Sequence, residues 1–438
     1  MSAARPHAPV DDAATGRRQG GSAMAVPAFR RLWTAGIVSD AGDWLMFIAL
    51  PLVVLQLTGS ALGTSIAFLL ELVPPVVLAP VVGGLVDRLP GRGVMVVAML
   101  AQAGALLPLL AVHDRSDLPV VYGVIVVQAT FAAVFEPAKN AVLPTLVGPD
   151  RIVSANALVG LNNDLGRIVG GPLGGVLLAV AGLGGVALVD IATYLVAAGL
   201  VATLPRSRSA RGTRPAGLGA QRGGGVARAL LDPATRAPIA VAVVAAVAQG
   251  LFVVLFVFFV TDVIGGDEAD VGMLRGVQAV GAIAAGAALG VLGARLDVLR
   301  LTLTGIIGFA AITALCWNVS FGTHSVPLYA VLFGVIGAPA VLMSAGLTSL
   351  LQRGAGDGRR GSAFAALGLG QALGQAVGLL VGGLLQERVG TLPLLEVQAA
   401  AYVAAAVLAL VLLPRSGRSP GPRALGEPLD RGERPAQR

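Results

Sequence analysis

The chain has 438 residues, 55% of them hydrophobic and only 13% charged, with a mean hydropathy of +0.82. So few polar side chains cannot cover a water-soluble particle of this size, which excludes an ordinary soluble enzyme and makes lipid the natural solvent. The net charge of +7 sits on arginines between apolar runs, a pattern of membrane orientation rather than of a nucleic-acid surface.

Residues 1–28, rich in Ala, Pro, Gly and Arg, predict a disordered cytoplasmic tail. A span needs about 20 mostly apolar residues. The first runs from Leu32 to Leu57 and turns at Thr58-Gly59-Ser60, and the second runs from Thr64 to Val86, broken at Pro74-Pro75. A short polar hinge, Gly83 to Arg92, follows. The third span is Val94 to Val112, the fourth Leu118 to Ala138, the fifth Ser154 to Ala181 and the sixth Gly184 to Leu204. Residues 206–237 hold seven arginines against the single acid Asp232 and predict a cytoplasmic linker. Six further spans, near 238–261, 271–293, 298–318, 326–350, 361–386 and 391–413, precede a second disordered cytoplasmic tail, 415–438.

The prediction is an all-α membrane protein of twelve transmembrane helices in two parallel six-helix halves, 29–205 and 238–414. Arginine is abundant in the tails, the hinge, the linker and the turn Arg353 to Arg360, so both termini are expected in the cytoplasm and the chain in the inner (plasma) membrane. An internal repeat supports the halves. A shift of 208 residues lays Ser154–Leu177 on Ser362–Leu385 with twelve identities in twenty-four positions, glycines in register, and pairs Tyr194 with Tyr402. The stretch Gly293 to Asp297 is a worn copy of the hinge. One cysteine, Cys316, and three scattered histidines leave neither a disulfide framework nor a metal site.

Several motifs point to one family. They are Phe29-Arg30-Arg31-Leu32-Trp33, Gly42-Asp43-Trp44, Leu57-Thr58-Gly59-Ser60, the hinge, Phe135-Glu136-Pro137-Ala138, Leu143-Pro144-Thr145-Leu146 and Ala155-Asn156-Ala157-Leu158. On these residues the region 29–414 resembles a major facilitator superfamily transporter, similar in texture to the branch of enterobactin-exporter-like and macrolide-efflux-like proteins. The resemblance implies a secondary transporter, not an enzyme, that works by alternating access without a cofactor. Its expected function is proton-driven export of a small amphiphilic or lipophilic compound of the drug or siderophore class. An importer or uniporter of a metabolite, or a partner-binding protein without flux, are the alternatives. Its expected partners are a small-molecule substrate and the bilayer, with no nucleic acid, and a monomer is expected. The resemblance also makes the hinge a gate, in which Asp87, Arg88 and Arg92 latch the two halves, Gly83 allows close approach and Gly91 belongs to the same turn. The alternative is that Arg88 and Arg92 serve orientation alone. No Walker-type phosphate loop is present, so ATP does not drive the chain directly.

Charges within spans are the informative residues, because each costs at least about 2.5 kcal/mol at mid-bilayer. Asp43 lies near the midplane of the first span with Asp40 three residues before it. Gly36, Asp40, Asp43 and Phe47 share a stripe. Asp43, Asp40 and Glu71 are candidate proton-titrating carboxylates, with helix packing or capping as the structural reading of Asp43. Asp164 and Arg167, at i and i+3 on the fifth span, either neutralise each other or leave Arg167 to answer Asp43 or an anionic substrate. Many proton-coupled members of the family have an arginine in the fourth span, and Val120 to Phe135 contains none, so Arg167 takes that role or the coupling differs. Gly166, Gly170, Gly171-Pro172 and Gly174-Gly175 resemble the superfamily's antiporter motif, with one residue rather than two between proline and glycine pair. Small-residue packing explains them equally well. Phe47, Gln249, Phe252, Gln371 and Gln375 are candidates to line the substrate cavity. Glu136 and Lys139 read as an interfacial ion pair, and Asp190 and Glu396 read as surface groups near helix ends.

Overall fold

A computed structural model describes residues 22–86, 88–205, 224–292, 296–356 and 359–413. In chain order the helices are α1 Pro27–Thr58, α2 Ala61–Val86, α3 Gly91–Leu106, α4 Leu118–Val147, α5 Ile152–Ala202, α6 Gly224–Leu231, α7 Pro233–Phe258, α8 Glu268–Leu292, α9 Val298–Val319, α10 Val326–Gly354, α11 Arg360–Val389 and α12 Thr391–Leu412. Among the described residues eleven helices are long and apolar enough to cross a membrane, one of them within the 54-residue run Pro149–Ala202. At 1.5 Å per residue that run would measure about 80 Å, far beyond a hydrocarbon layer of about 30 Å, so it must cross twice.

The reversal is at Gly182, whose φ of 64° and ψ of −174° belong to glycine alone. Contacts with α1 show the direction on either side. On the first arm of α5, Leu158 O accepts from the Trp33 indole at 2.9 Å, and Gly166 and Gly174 lie against Asp40 and Leu45. On the second arm, Asp190 and Thr193 lie against Gly42, and Thr203 O accepts from Arg31 at 3.2 Å. The first arm therefore runs parallel to α1 and the second antiparallel, which gives twelve crossings in two six-helix halves. Gly182→Ala forces a side chain into this conformation at a cost of about 1–3 kcal/mol. The purified variant is expected to show a lower apparent melting temperature with unchanged helix content by circular dichroism.

The repeat appears in the packing. Gly166, Gly170 and Gly174 seat the first arm of α5 on α1, and Gly374 and Gly378 seat α11 on α7 in the same way. Without a Cβ the helix backbones meet closely, which is how spans associate where lipid offers no hydrophobic drive.

Several boundaries differ from those predicted. The tail expected over 1–28 is partly folded: Ala23–Ala25 forms a turn of 3-10 helix, and its first residue, fully buried, donates its backbone N–H to Ser154 Oγ at 3.2 Å. The linker expected over 206–237 ends in the helix α6 and the first turn of α7, which opens on Asp232 as N-cap. The break expected at Pro74-Pro75 does not occur, and α2 runs on through both and through Pro80. Neighbouring helices and polar groups tolerate the freed carbonyls in a membrane helix. The fourth span is longer than predicted, passing Pro137 and Pro144 to Val147. Residues 1–21, Asp87, most of the arginine-rich linker, Gly293 to Arg295 of the worn hinge copy and everything from Pro414 onward lie outside the described residues.

Candidate functional site

The two halves meet through α5 against α8 and α2 against α11. On the face opposite the termini the contact is tight. A Cβ on Gly175 would stand 2.0 Å from Glu268 O, one on Gly272 2.2 Å from Gly171 O, and one on Gly383 2.2 Å from Ser65 Oγ. Gln56 donates to Glu268 at 3.0 Å and Ser60 to Glu387 at 3.0 Å. Below them Phe68 packs with Val253, Val254, Phe258 and Leu379 in an apolar seal. Toward the face bearing the termini, Gly84, Gly160, Gly286, Gly290 and Gly368 have nothing within 4 Å of an added Cβ, so none of them makes such a close approach. The close contact between the halves is on the opposite face.

Beneath the seal lies a cavity of about 390 Å³ between the halves, within the size range of small-molecule sites. Its lining combines aromatic rings (Trp44, Phe47, Phe252, Trp317, Tyr402), four amides (Gln249, Gln278, Gln375, Gln398) and three charges (Asp164, Arg167, Arg275). Of the residues predicted from sequence, Phe47, Asp164, Arg167, Gln249, Phe252 and Gln375 border this space. Gln371 does not; it is exposed one turn from Gln375 on α11. Asp164 and Arg167 pair with each other at 2.8 Å, and the Arg167 guanidinium lies 5.6 Å from the centre of the Trp44 ring.

The other predicted carboxylates form a separate nest inside the first half. Asp43 accepts a short hydrogen bond from the Tyr194 hydroxyl on the second arm of α5. Asp190, one turn before Tyr194, is fully buried, takes a hydrogen bond from Thr193 at 3.0 Å and has an unpartnered second oxygen. Asp190 was expected at the surface; it is a core residue because α5 folds back along α1 and presses it on Gly42. Glu396 is exposed as expected, and accepts from Asn318 at 3.0 Å. Asp43 and Glu71 both present open surface within their spans, and neither borders the cavity. Asp40 is half-buried between Asp43 and the pair Glu136–Lys139 of α4, whose ion pair measures 2.5 Å.

The predicted glycine motif divides by face. Gly166, Gly170 and Gly174 pack within the first half on α1, whereas Gly171, Pro172 and Gly175 meet α8 across the interface. The hinge divides as well. Arg88 is exposed, and Gly91 starts α3, where a Cβ would meet Val142 at 2.6 Å. Arg92 donates to Leu204 O at 2.7 Å, satisfying a carbonyl at the end of α5, where a cation is favoured. Asp87 and the surroundings of Gly83 lie outside the described residues.

Sequence reasoning missed Arg275 altogether. Its signal was available, since it is a charge inside a span of the kind that singled out Asp43.

Twelve crossings in two repeated halves, closed on one face over a mid-depth cavity, are the architecture of a membrane transporter fold. The chain belongs to the Major Facilitator Superfamily, whose family model matches residues 32–263 and, again, 238–436. Its relatives include MFS-type transporter YfiS of Bacillus subtilis, 30% identical over 190 residues (42% of this chain, 45% of that protein). Macrolide efflux protein A of Streptococcus pyogenes is 27% identical over 176 residues (40% and 44%). Enterobactin exporter EntS of Citrobacter koseri is 30% identical over 159 residues (36% and 38%). The matched segments thus span less than half the length of these relatives. Among solved structures, nucleoside transporter NupG superposes with a TM-score of 0.72 at 13% identity, covering 88% of this chain and 99% of that one. A bacterial homologue of the iron transporter ferroportin in its inward-facing state gives 0.70 at 17% identity, covering 87% and 98%. These two establish the shared fold.

Proposed function

We propose that this protein is a proton-driven exporter of small amphiphilic or lipophilic compounds, acting as a monomer in the inner or plasma membrane with both termini in the cytoplasm. The observation that supports proton coupling is the asymmetry of the repeat. Asp43, Asp190 and Tyr194 correspond to Gln249, Gln398 and Tyr402, and the hydrogen bond from Tyr194 to Asp43 is matched by one from Tyr402 to Gln249 at 3.4 Å. The fold therefore needs a tyrosine and a polar acceptor at this place, and only the first half makes the acceptors titratable. A proton on Asp190 would also neutralise a buried carboxylate whose second oxygen has no partner. Export as the direction is supported by the relatives named as a macrolide efflux protein and an enterobactin exporter.

In this orientation the cavity opens to the cytoplasm, where cargo would enter. The hinge latch, assigned to Asp87, Arg88 and Arg92, would engage when the halves close on that side; Arg92 is now held within its own half. The test is flux in proteoliposomes with an imposed pH gradient over a panel of dyes, antibiotics and siderophores. Accumulation of a panel compound in vesicles that are acidic inside is expected, with protons leaving as cargo enters. Gradient-independent flux would replace the reading by a uniporter, and no substrate-dependent flux in either direction would remove transport itself.

A further inference from the structure

We propose that Arg275 is an anion-recognition group in the cavity, so that the cargo is an amphiphile with an apolar, ring-compatible body and a single negatively charged head such as a carboxylate. This rests on the reading of the cavity as the cargo site and adds to it the sign of the cargo's charge.

Arg275 is 5% exposed and borders the cavity from α8. Three rings surround its guanidinium, with centroids at 4.7 Å for Phe252, 5.0 Å for Phe256 and 5.6 Å for Phe47. Among the described residues no carboxylate pairs with it and no acceptor takes a hydrogen bond from it. The charge that acts on it most directly is a second cation, Arg167, which is already bonded to Asp164 at 2.8 Å. The cavity lining thus holds two guanidinium groups and one carboxylate, a surplus of one positive charge.

A buried cation with no counter-charge is costly, and such groups are ordinarily paired. Ring faces stabilise it in part but leave its planar fork of N–H donors empty. A carboxylate fits that fork with two parallel hydrogen bonds. Meanwhile the rings beside it offer the apolar surface an amphiphile's body needs. The duplicated backbone does not require the charge. Shifts of 206 to 210 residues, the range between the two halves, set Arg275 against positions from Ser65 to Leu69, none of them charged.

The experiment is isothermal titration calorimetry of the purified full chain, without a gradient, using biphenyl-4-carboxylate, its neutral primary amide and biphenyl-4-methylamine. The carboxylate is expected to bind about tenfold or more tightly than the amide, and the amine most weakly. Arg275→Gln should bring carboxylate and amide to within about threefold of each other while amide affinity holds; Arg275→Lys should keep part of the preference, having the charge without the fork. Equal wild-type affinity for carboxylate and amide, no binding of the carboxylate, or a preference unchanged in a folded Arg275→Gln would overturn the proposal. The wild-type comparison decides even where a variant does not fold. Because binding is read without flux, anion preference with no export would remove the exporter reading alone, and export of neutral cargo with no anion preference would remove this one alone.

Discussion

Asp43→Asn is expected to abolish proton-driven accumulation of cargo while leaving the protein folded and able to exchange cargo across the membrane. The second half supplies the natural control for folding, since at the corresponding place an amide, Gln249, accepts from Tyr402. Asparagine keeps an oxygen for the Tyr194 hydroxyl, so the hydrogen bond survives and only the titration is lost. Asp43→Ala, by contrast, strands that hydroxyl at a cost of about 1–3 kcal/mol and would confuse folding with function. The groups that act on Asp43 are Asp190 and Tyr194 from α5, Glu71 from α2 and Glu136 with Lys139 from α4, and Asp40 stands beside it on α1. Glu71→Gln, which is further from Tyr194, serves as the comparison. In proteoliposomes Asp43→Asn should lower accumulation under a pH gradient at least tenfold, while exchange of labelled for unlabelled cargo at equal pH stays within about twofold, since a step that needs no net proton movement does not use the carboxyl. Wild-type accumulation by Asp43→Asn would move the coupling to Glu71 or Asp164.

Lipid made most of the architecture legible. Spans must be long, apolar and helical, so all twelve crossings could be placed from hydropathy and punctuation, and the 208-residue repeat fixed which spans correspond. Proline misled at Pro74-Pro75, because rules learned in water overstate how far proline ends a helix inside a protein-lined membrane. The candidate site was legible as a set of residues and not as an arrangement. Six of the cavity residues were named, four of them (Asp164, Arg167, Gln249 and Gln375) from polarity within a span, but polarity does not say which face of a helix meets which neighbour. Asp190 shows the difference: near a helix end by sequence, it is buried because Gly182 folds its helix back onto Gly42. The repeat contained a further signal, since its 208-residue shift sets Asp190 opposite Gln398. Matching polar positions in duplicated halves mark interior sites better than hydropathy does.

The glycine stripe of α5 yields the second large effect, because its two faces predict opposite outcomes. Gly166→Leu drives a side chain into the backbone of Asp40, 2.8 Å from an added Cβ, inside one half, where nothing can move aside without repacking. Misfolding and loss of protein from the membrane are expected. Gly175→Leu drives one into Glu268, 2.0 Å away, across the interface, where the clash is relieved if the halves part on that face. An overpacking cost of about 3 kcal/mol shifts a two-state balance by roughly a hundredfold. This variant should therefore be well folded, should lose nearly all transport, and should rest with the closed face open. A cysteine placed at Phe68, within the seal and in a Cys316→Ser background, would report it: a membrane-impermeant maleimide applied to the face opposite the termini should label it at least about tenfold faster when Gly175→Leu is present. Equal labelling with normal flux would mean that the halves do not need this contact to close, and the seal would then rest on the apolar cluster around Phe68 and Phe258. Equal labelling with lost flux would place the damage within the closed state itself. The two glycine faces separate what holds each half together from what lets the halves meet.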